Sequence, residues 1–117
     1  MADLIVEVRL EGASAVVVAA GEIDVYQAPR LREVLEGLPA GATGPLVIDL
    51  TGVSYIDSTG LGTLVAARKR RVAEGSTVRL VCPDPTLRKV FEITGLVSFF
   101  TMVDSVEAAL AASGDGV

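Results

Sequence analysis

The chain has 117 residues, half of them hydrophobic, which is enough for one core of ordinary domain size without disulfide or metal staples. A formal net charge of −5 supplies no basic footprint for a phosphate backbone and argues against nucleic acid as a partner. Histidine is absent and Cys82 is the single cysteine, which removes Ser-His-Asp and Cys-His catalysis, imidazole or thiolate metal sites and an internal disulfide. With no signal-peptide pattern and no apolar run near the roughly 18 residues of a membrane span, the expectation is a soluble cytoplasmic protein without a membrane partner. Cys82 itself reads as a small apolar strand-end residue.

Residues Leu4 to Glu11 alternate, with Leu4, Val6, Val8 and Leu10 on one face and charges on the other, and predict a half-buried edge strand. Gly12-Ala13-Ser14 is the turn of a hairpin, and the continuously apolar Val16 to Ala20 belongs deeper in the same sheet, ending at Gly21-Glu22-Ile23-Asp24. From Tyr26 to Leu38, the residues Ala28, Leu31, Val34, Leu35 and Leu38 recur at helical spacing, with Pro29 in the first turn and Asp24 near the start. Pro39 to Pro45 is a breaker-rich connection too short to be an interdomain linker.

The next strand, Leu46 to Leu50, leads through Thr51-Gly52-Val53-Ser54-Tyr55 to a helix starting at Ser58. Leu61, Leu64, Val65 and Val72 form its inward stripe, which ends before Gly75. Arg68-Lys69-Arg70-Arg71 in its later turns reads as a solvated cationic face favoured by the helix dipole, with a docking patch as the alternative. Thr77 to Cys82 is a further strand. Asp84 as N-cap and Pro85 as first helical residue open a helix with Leu87, Val90 and Phe91 on its apolar side, stopped at Gly95-Leu96. Phe99 to Val103 is the last strand, Asp104-Ser105 caps a terminal helix with Val106, Ala109 and Leu110 inward, and Ser113 to Val117 is a loose polar tail.

A hairpin followed by strand-helix alternation predicts an α/β domain: a mostly parallel five-stranded sheet, an antiparallel edge strand, about four helices and right-handed crossovers. Sites in such sheets gather outside the carboxyl ends of the parallel strands, here the loops carrying Asp24, Asp57-Ser58 and Pro83-Asp84. The segment Ile56-Asp57-Ser58-Thr59-Gly60-Leu61-Gly62 places two hydroxyls, a carboxylate and two glycines at a helix N-terminus, where an anion is stabilised by about 0.3–1 kcal/mol. Ser58 lacks a general base to make it a nucleophile, and Ile56 stands where a G-x-S-x-G elbow needs glycine. A nucleotide reading is carried only weakly by Gly60-Leu61-Gly62, because Val65 replaces the third glycine of G-x-G-x-x-G, although Asp24, Asp57 and Ser58 are also suited to Mg²⁺. The plainest reading makes Ser58 or Asp57 a helix cap, with Gly60 and Gly62 permitting close packing against the sheet. Two glycines in a first turn cost about 1 kcal/mol each relative to alanine, which points to another surface coming close.

Gly21-Glu22-Ile23-Asp24 followed by Ala28-Pro29, the run from Val47 through Asp57-Ser58-Thr59-Gly60-Leu61-Gly62, and Phe91-Glu92-Ile93-Thr94-Gly95-Leu96 closely resemble bacterial anti-sigma factor antagonists, the single-domain members of the STAS family. The likeness covers residues 4 to 111 and implies a STAS domain over 1–112 followed by a tail at 113–117. It implies that the first hydroxyl of the segment, Ser58, is phosphorylated by an anti-sigma factor that is also a serine kinase. The unphosphorylated form binds that kinase and frees the sigma factor, and a metal-dependent serine phosphatase restores it. Asp24 and Asp57 match acidic positions beside the phosphorylation site, and with Ser58, Thr59, Gly60, Leu61 and Gly62 they are the expected partner-binding residues. Leu61 also fits the inward stripe. On this reading the chain is a substrate rather than an enzyme, with no cofactor and no metal of its own. The alternatives are a STAS accessory subunit of a stress-sensing or lipid-transport assembly, and a nucleotide-binding module.

Overall fold

In the computed structural model, which describes residues 3–111, strands β1 (Ile5–Glu11) and β2 (Ser14–Ile23) form a hairpin across Gly12-Ala13. Gly12 takes φ +62°, which a residue without Cβ adopts without strain. There follow α1 (Ala28–Glu36), β3 (Leu46–Ile56), α2 (Ser58–Ala73), β4 (Val78–Val81), α3 (Pro85–Ile93), a 3-10 turn at Leu96–Ser98, β5 (Thr101–Val103) and α4 (Val106–Ala111). The five strands lie in the order β1-β2-β3-β4-β5, with β1 antiparallel to β2 and all other pairs parallel, the architecture expected from the alternation. The tail expected at 113–117 lies outside the described residues.

Alternate strand residues divide the core into two layers. Ala15, Val17, Ala19, Leu46, Ile48, Val78 and Leu80 pack with Leu31 and Leu35 of α1, Leu61, Leu64 and Ala67 of α2, and Leu87 and Phe91 of α3. Val16, Val47 and Val81 face the other way, against Ala109 of α4. Three helices on one face is what crossovers of one hand produce when parallel strands are added in sequence order.

Several expectations are corrected. Thr51 to Tyr55 is not a connecting loop: β3 continues to Ile56, pairing with β2 as far as Ile23↔Ile56 across two register shifts. Gly52 lets the strands approach there, because a Cβ on it would sit 2.9 Å from Ala20 Cβ. Phe99 and Phe100 precede β5 rather than belong to it; Phe100 packs edge-on against Phe91 at 6.0 Å, and Arg68 lies 4.5 Å from the Phe99 ring centroid. On β1 the inward face ends early, since Val8 and Leu10 are exposed while Leu4 is fully buried. Leu110 is likewise exposed on α4.

The basic run on α2 is not uniformly solvated. Arg71 takes the inward position expected for Val72, which is exposed. Its Nη2 donates to the carbonyls of Ala42 and Gly44, both at 2.8 Å, fastening the α1–β3 connection to the helix. The Nη2 and the two carbonyls thereby satisfy one another, whereas the buried Nε finds no hydrogen-bond partner among the described residues. Arg79 on β4 has a parallel role, donating from Nη1 to the Ala109 carbonyl at 2.7 Å.

Candidate functional site

The long β2–β3 pairing carries two strand ends to the same place. Ile23 faces Ile56, and the Asp57 N–H donates to the Ile23 carbonyl at 3.1 Å, so Asp24 and Asp57 leave adjacent strands side by side. Asp24 is buried, and its Oδ1 accepts from the N–H groups of Tyr26 at 3.0 Å and Gln27 at 2.9 Å. Its carbonyl accepts from Ala28 N–H at 2.8 Å, so this residue shapes the entry into α1.

Asp57 is the N-cap of α2: its backbone is extended and its Oδ1 accepts from Gly60 N–H at 3.0 Å. That leaves Ser58 as the first helical residue, exposed at the positive end of a 16-residue helix. The cap is therefore the aspartate, and the serine hydroxyl is not committed to capping. Thr59 is also exposed, and its carbonyl accepts from Thr63 Oγ1 at 3.1 Å.

The two glycines have different surroundings. A Cβ on Gly60 would lie 2.7 Å from Ile56 Cγ1 and 2.8 Å from the Ile23 carbonyl oxygen, so this glycine seats the helix on the two strand ends. Gly62 is exposed, and a Cβ added there would meet nothing within 4 Å, which leaves room for an approaching surface. Leu61 is buried in the core with Leu64. Asp24, Asp57, Ser58, Thr59 and Gly62 thus gather at one end of the sheet, whereas Gly60 and Leu61 support them from beneath.

The third expected loop does not join them. β4 ends its pairing with β3 at Asp49↔Val81, and β3 runs on from Leu50 to Ile56 alongside β2 alone. Asp84 instead caps α3, accepting from Thr86 N–H at 2.9 Å. Cys82 is buried, and burial pushes its thiol up to about 11, which keeps it an unreactive apolar filler.

Two features escaped the reading of the sequence. Val25, Tyr26 and Tyr55 stand exposed on the loops and strand end around Asp24 and Asp57, with Tyr26 at 82% exposure. Their only signal was apolar character next to Asp24 and Asp57, at the strand ends rather than on a helix stripe. A groove of about 500 Å³ also runs from Thr59, Gly62, Thr63 and Ala66 on α2 to Arg32 and Leu35 on α1. Glu36 lies along it, hydrogen-bonded to Arg32 at 2.9 Å, and this bond holds the carboxyl below its usual range. Exposed apolar and aromatic side chains such as Val25, Tyr26 and Tyr55 are features of a protein-binding surface.

Comparison with known proteins bears on the family and the fold. Residues 6–109 match the STAS domain family. The sequence is 48% identical over 77 residues to an anti-sigma-B factor antagonist of Listeria monocytogenes, covering 66% of this chain and 68% of that one. The crystal structure of an anti-sigma factor antagonist from Mycobacterium paratuberculosis shares the fold with a TM-score of 0.83 and 29% identity, over 92% of each chain. The Bacillus cell fate determinant SpoIIAA in its phosphorylated form shares it with a TM-score of 0.69 and 23% identity, over 91% of this chain and 96% of that one.

Proposed function

Because the chain belongs to the STAS domain family, we propose that it is an anti-sigma factor antagonist switched by phosphorylation of Ser58. Unphosphorylated, it binds an anti-sigma factor with serine kinase activity and frees the sigma factor. Phosphorylated, it is released, and a metal-dependent serine phosphatase returns it to the binding form. The chain is the substrate in this cycle and the partner supplies the catalysis. The observation that carries the reading is an exposed Ser58 at the first position of α2, with the capping done by Asp57 beside it.

The physical asymmetry lies between free and bound states. A phosphate adds about −1.5 to −2 charges and three strong acceptors. In the free chain it remains hydrated at the positive end of α2, and SpoIIAA retains this fold in its phosphorylated form. In a complex closing over Ser58, the same charge loses water next to Asp57 and, behind it, Asp24. A hundred- to thousandfold loss of affinity corresponds to about 2.7–4.1 kcal/mol, within the range of like-charge juxtaposition.

The test is incubation with the cognate anti-sigma factor and ATP, followed by mass spectrometry and calorimetry. One added phosphate, about 80 Da, is expected on Ser58 and none on S58A, which binds constitutively. S58D binds weakly, as a smaller and less charged mimic. Phosphate incorporated in S58A but not in T59A would move the site to Thr59, and equal affinity of modified and unmodified chains would remove the switch.

A further inference from the structure

The open side of β1 carries information that the Ser58 site does not use. Glu11 and Ser14 flank the two-residue turn, so Glu11, Arg9, Glu7 and Ile5 exchange backbone hydrogen bonds with β2. The N–H and C=O groups of Val6, Val8 and Leu10 therefore point away from the sheet. Neighbouring contacts fit this alternation: the Leu4 carbonyl, turned outward, accepts from Arg30 Nη1 at 2.6 Å, whereas the Asp3 carbonyl turns inward against Gly21. Among the described residues no strand pairs with the outer side of β1. Ile5, Val8 and Leu10 are exposed by 58%, 43% and 53%.

We propose that β1 pairs antiparallel with β1 of a second copy of this chain, about a twofold axis through Val8, continuing the sheet from one copy into the other. Backbone alternation and charge select this register together. Only outward-pointing residues can exchange hydrogen bonds across the new seam, so Val6, Val8 and Leu10 must face one another. Centring on Val8 sets Val8 against itself and Val6 against Leu10 of the second copy, covering the exposed apolar side of the strand. The same register sets Glu7 opposite Arg9 of the second copy twice, once on each side of the axis. Centring on Glu7 or on Arg9 would put like charges face to face. Centring on Leu10 would run the pairing into the turn at Gly12-Ala13. The Val8 register alone pairs the whole of Ile5–Glu11 while setting Glu7 against Arg9, with Glu11 falling opposite Ile5. The bond from Arg9 Nε to Glu11 at 3.2 Å is solvent-exposed, and little opposes its exchange for the cross-strand pair.

Sedimentation equilibrium at low ionic strength tests the register. The chain is expected to dimerise, with E7R and R9E each weakening self-association by about tenfold or more while circular dichroism stays unchanged. The double substitution E7R/R9E restores the dimer, and an equimolar mixture of E7R with R9E forms a heterodimer. A chain that stays monomeric up to roughly millimolar concentration overturns the proposal. So does a dimer that survives both single reversals, which lies on another surface, or a loss of dimer that neither the double substitution nor the mixture repairs.

Discussion

At its C-terminal end α2 is fastened by a buried arginine: Arg71 reaches the carbonyls of Ala42 and Gly44, and Ser76 Oγ donates to the same Gly44 carbonyl at 2.8 Å. At its N-terminal end Asp57 accepts from Gly60 N–H and donates its own N–H to the Ile23 carbonyl, and Gly60 is seated on Ile23 and Ile56, but Ser58, Thr59 and Gly62 are exposed. The same helix is thus anchored where its charge is buried and free where its hydroxyls meet water. A modification at the free end changes what the surface presents while the anchored end keeps the frame. Burial, rather than residue type, decides which polar groups are structural.

Breaking the anchored end should have the largest effect. R71A leaves the Ala42 carbonyl without its arginine donor, the Gly44 carbonyl with Ser76 Oγ alone, and a cavity under the α1–β3 connection, so a loss of about 2–4 kcal/mol is expected in urea unfolding. R71K should recover only part of it, because both bonds come from Nη2 at the tip of the longer arginine side chain, and the shorter lysine brings its ammonium less far toward the two carbonyls. A stability unchanged by R71A would mean that the two ends of α2 are not built differently.

The seat at the other end comes next. In G60A the added carbon meets Ile56 and Ile23 inside contact distance, including the Ile23 backbone, which cannot swing aside. The expected cost is about 1–3 kcal/mol even after the better helix propensity of alanine. Phosphorylation of Ser58 in the fraction that remains folded should survive, since the hydroxyl itself is untouched.

What the sequence could reveal follows the same division between local and distant causes. Strand-helix alternation, the Asp57 and Asp84 positions at helix starts and the Ser58 segment were legible because periodicity and capping are local. The extension of β3 was not: Thr51 to Tyr55 has turn-like composition, and only pairing with β2 across two register shifts, with Gly52 against Ala20, makes it strand. Arg71 and Val72 are adjacent, and which one faces inward was decided by carbonyls some 27 to 29 positions away. The exposure of Val8 and Leu10 depends on how far the helices extend over β1, which alternation within the strand does not encode. Asp24 and Asp57 met as expected at adjacent strand ends, but Pro83-Asp84 did not, because β4 stops at the level of Asp49.

Gly60 and Gly62 give the finest contrast, since both looked alike in the sequence. Two residues apart on a helix they point about 200° from each other, so one faces the strand ends and the other faces solvent. G62A therefore places its methyl group in open space and removes backbone entropy from the unfolded chain, a stabilisation of about 0.5–1 kcal/mol, or a rise in Tm of about 2–5 °C. If Gly62 was needed because a partner's surface comes close there, the same substitution weakens binding to the anti-sigma factor while the melting temperature rises. Opposite signs in two assays cannot arise from damaged folding. A gain in stability with unchanged affinity would instead make Gly62 a neutral surface position and would confine the contact to Ser58, Thr59 and the exposed side chains of Val25, Tyr26 and Tyr55.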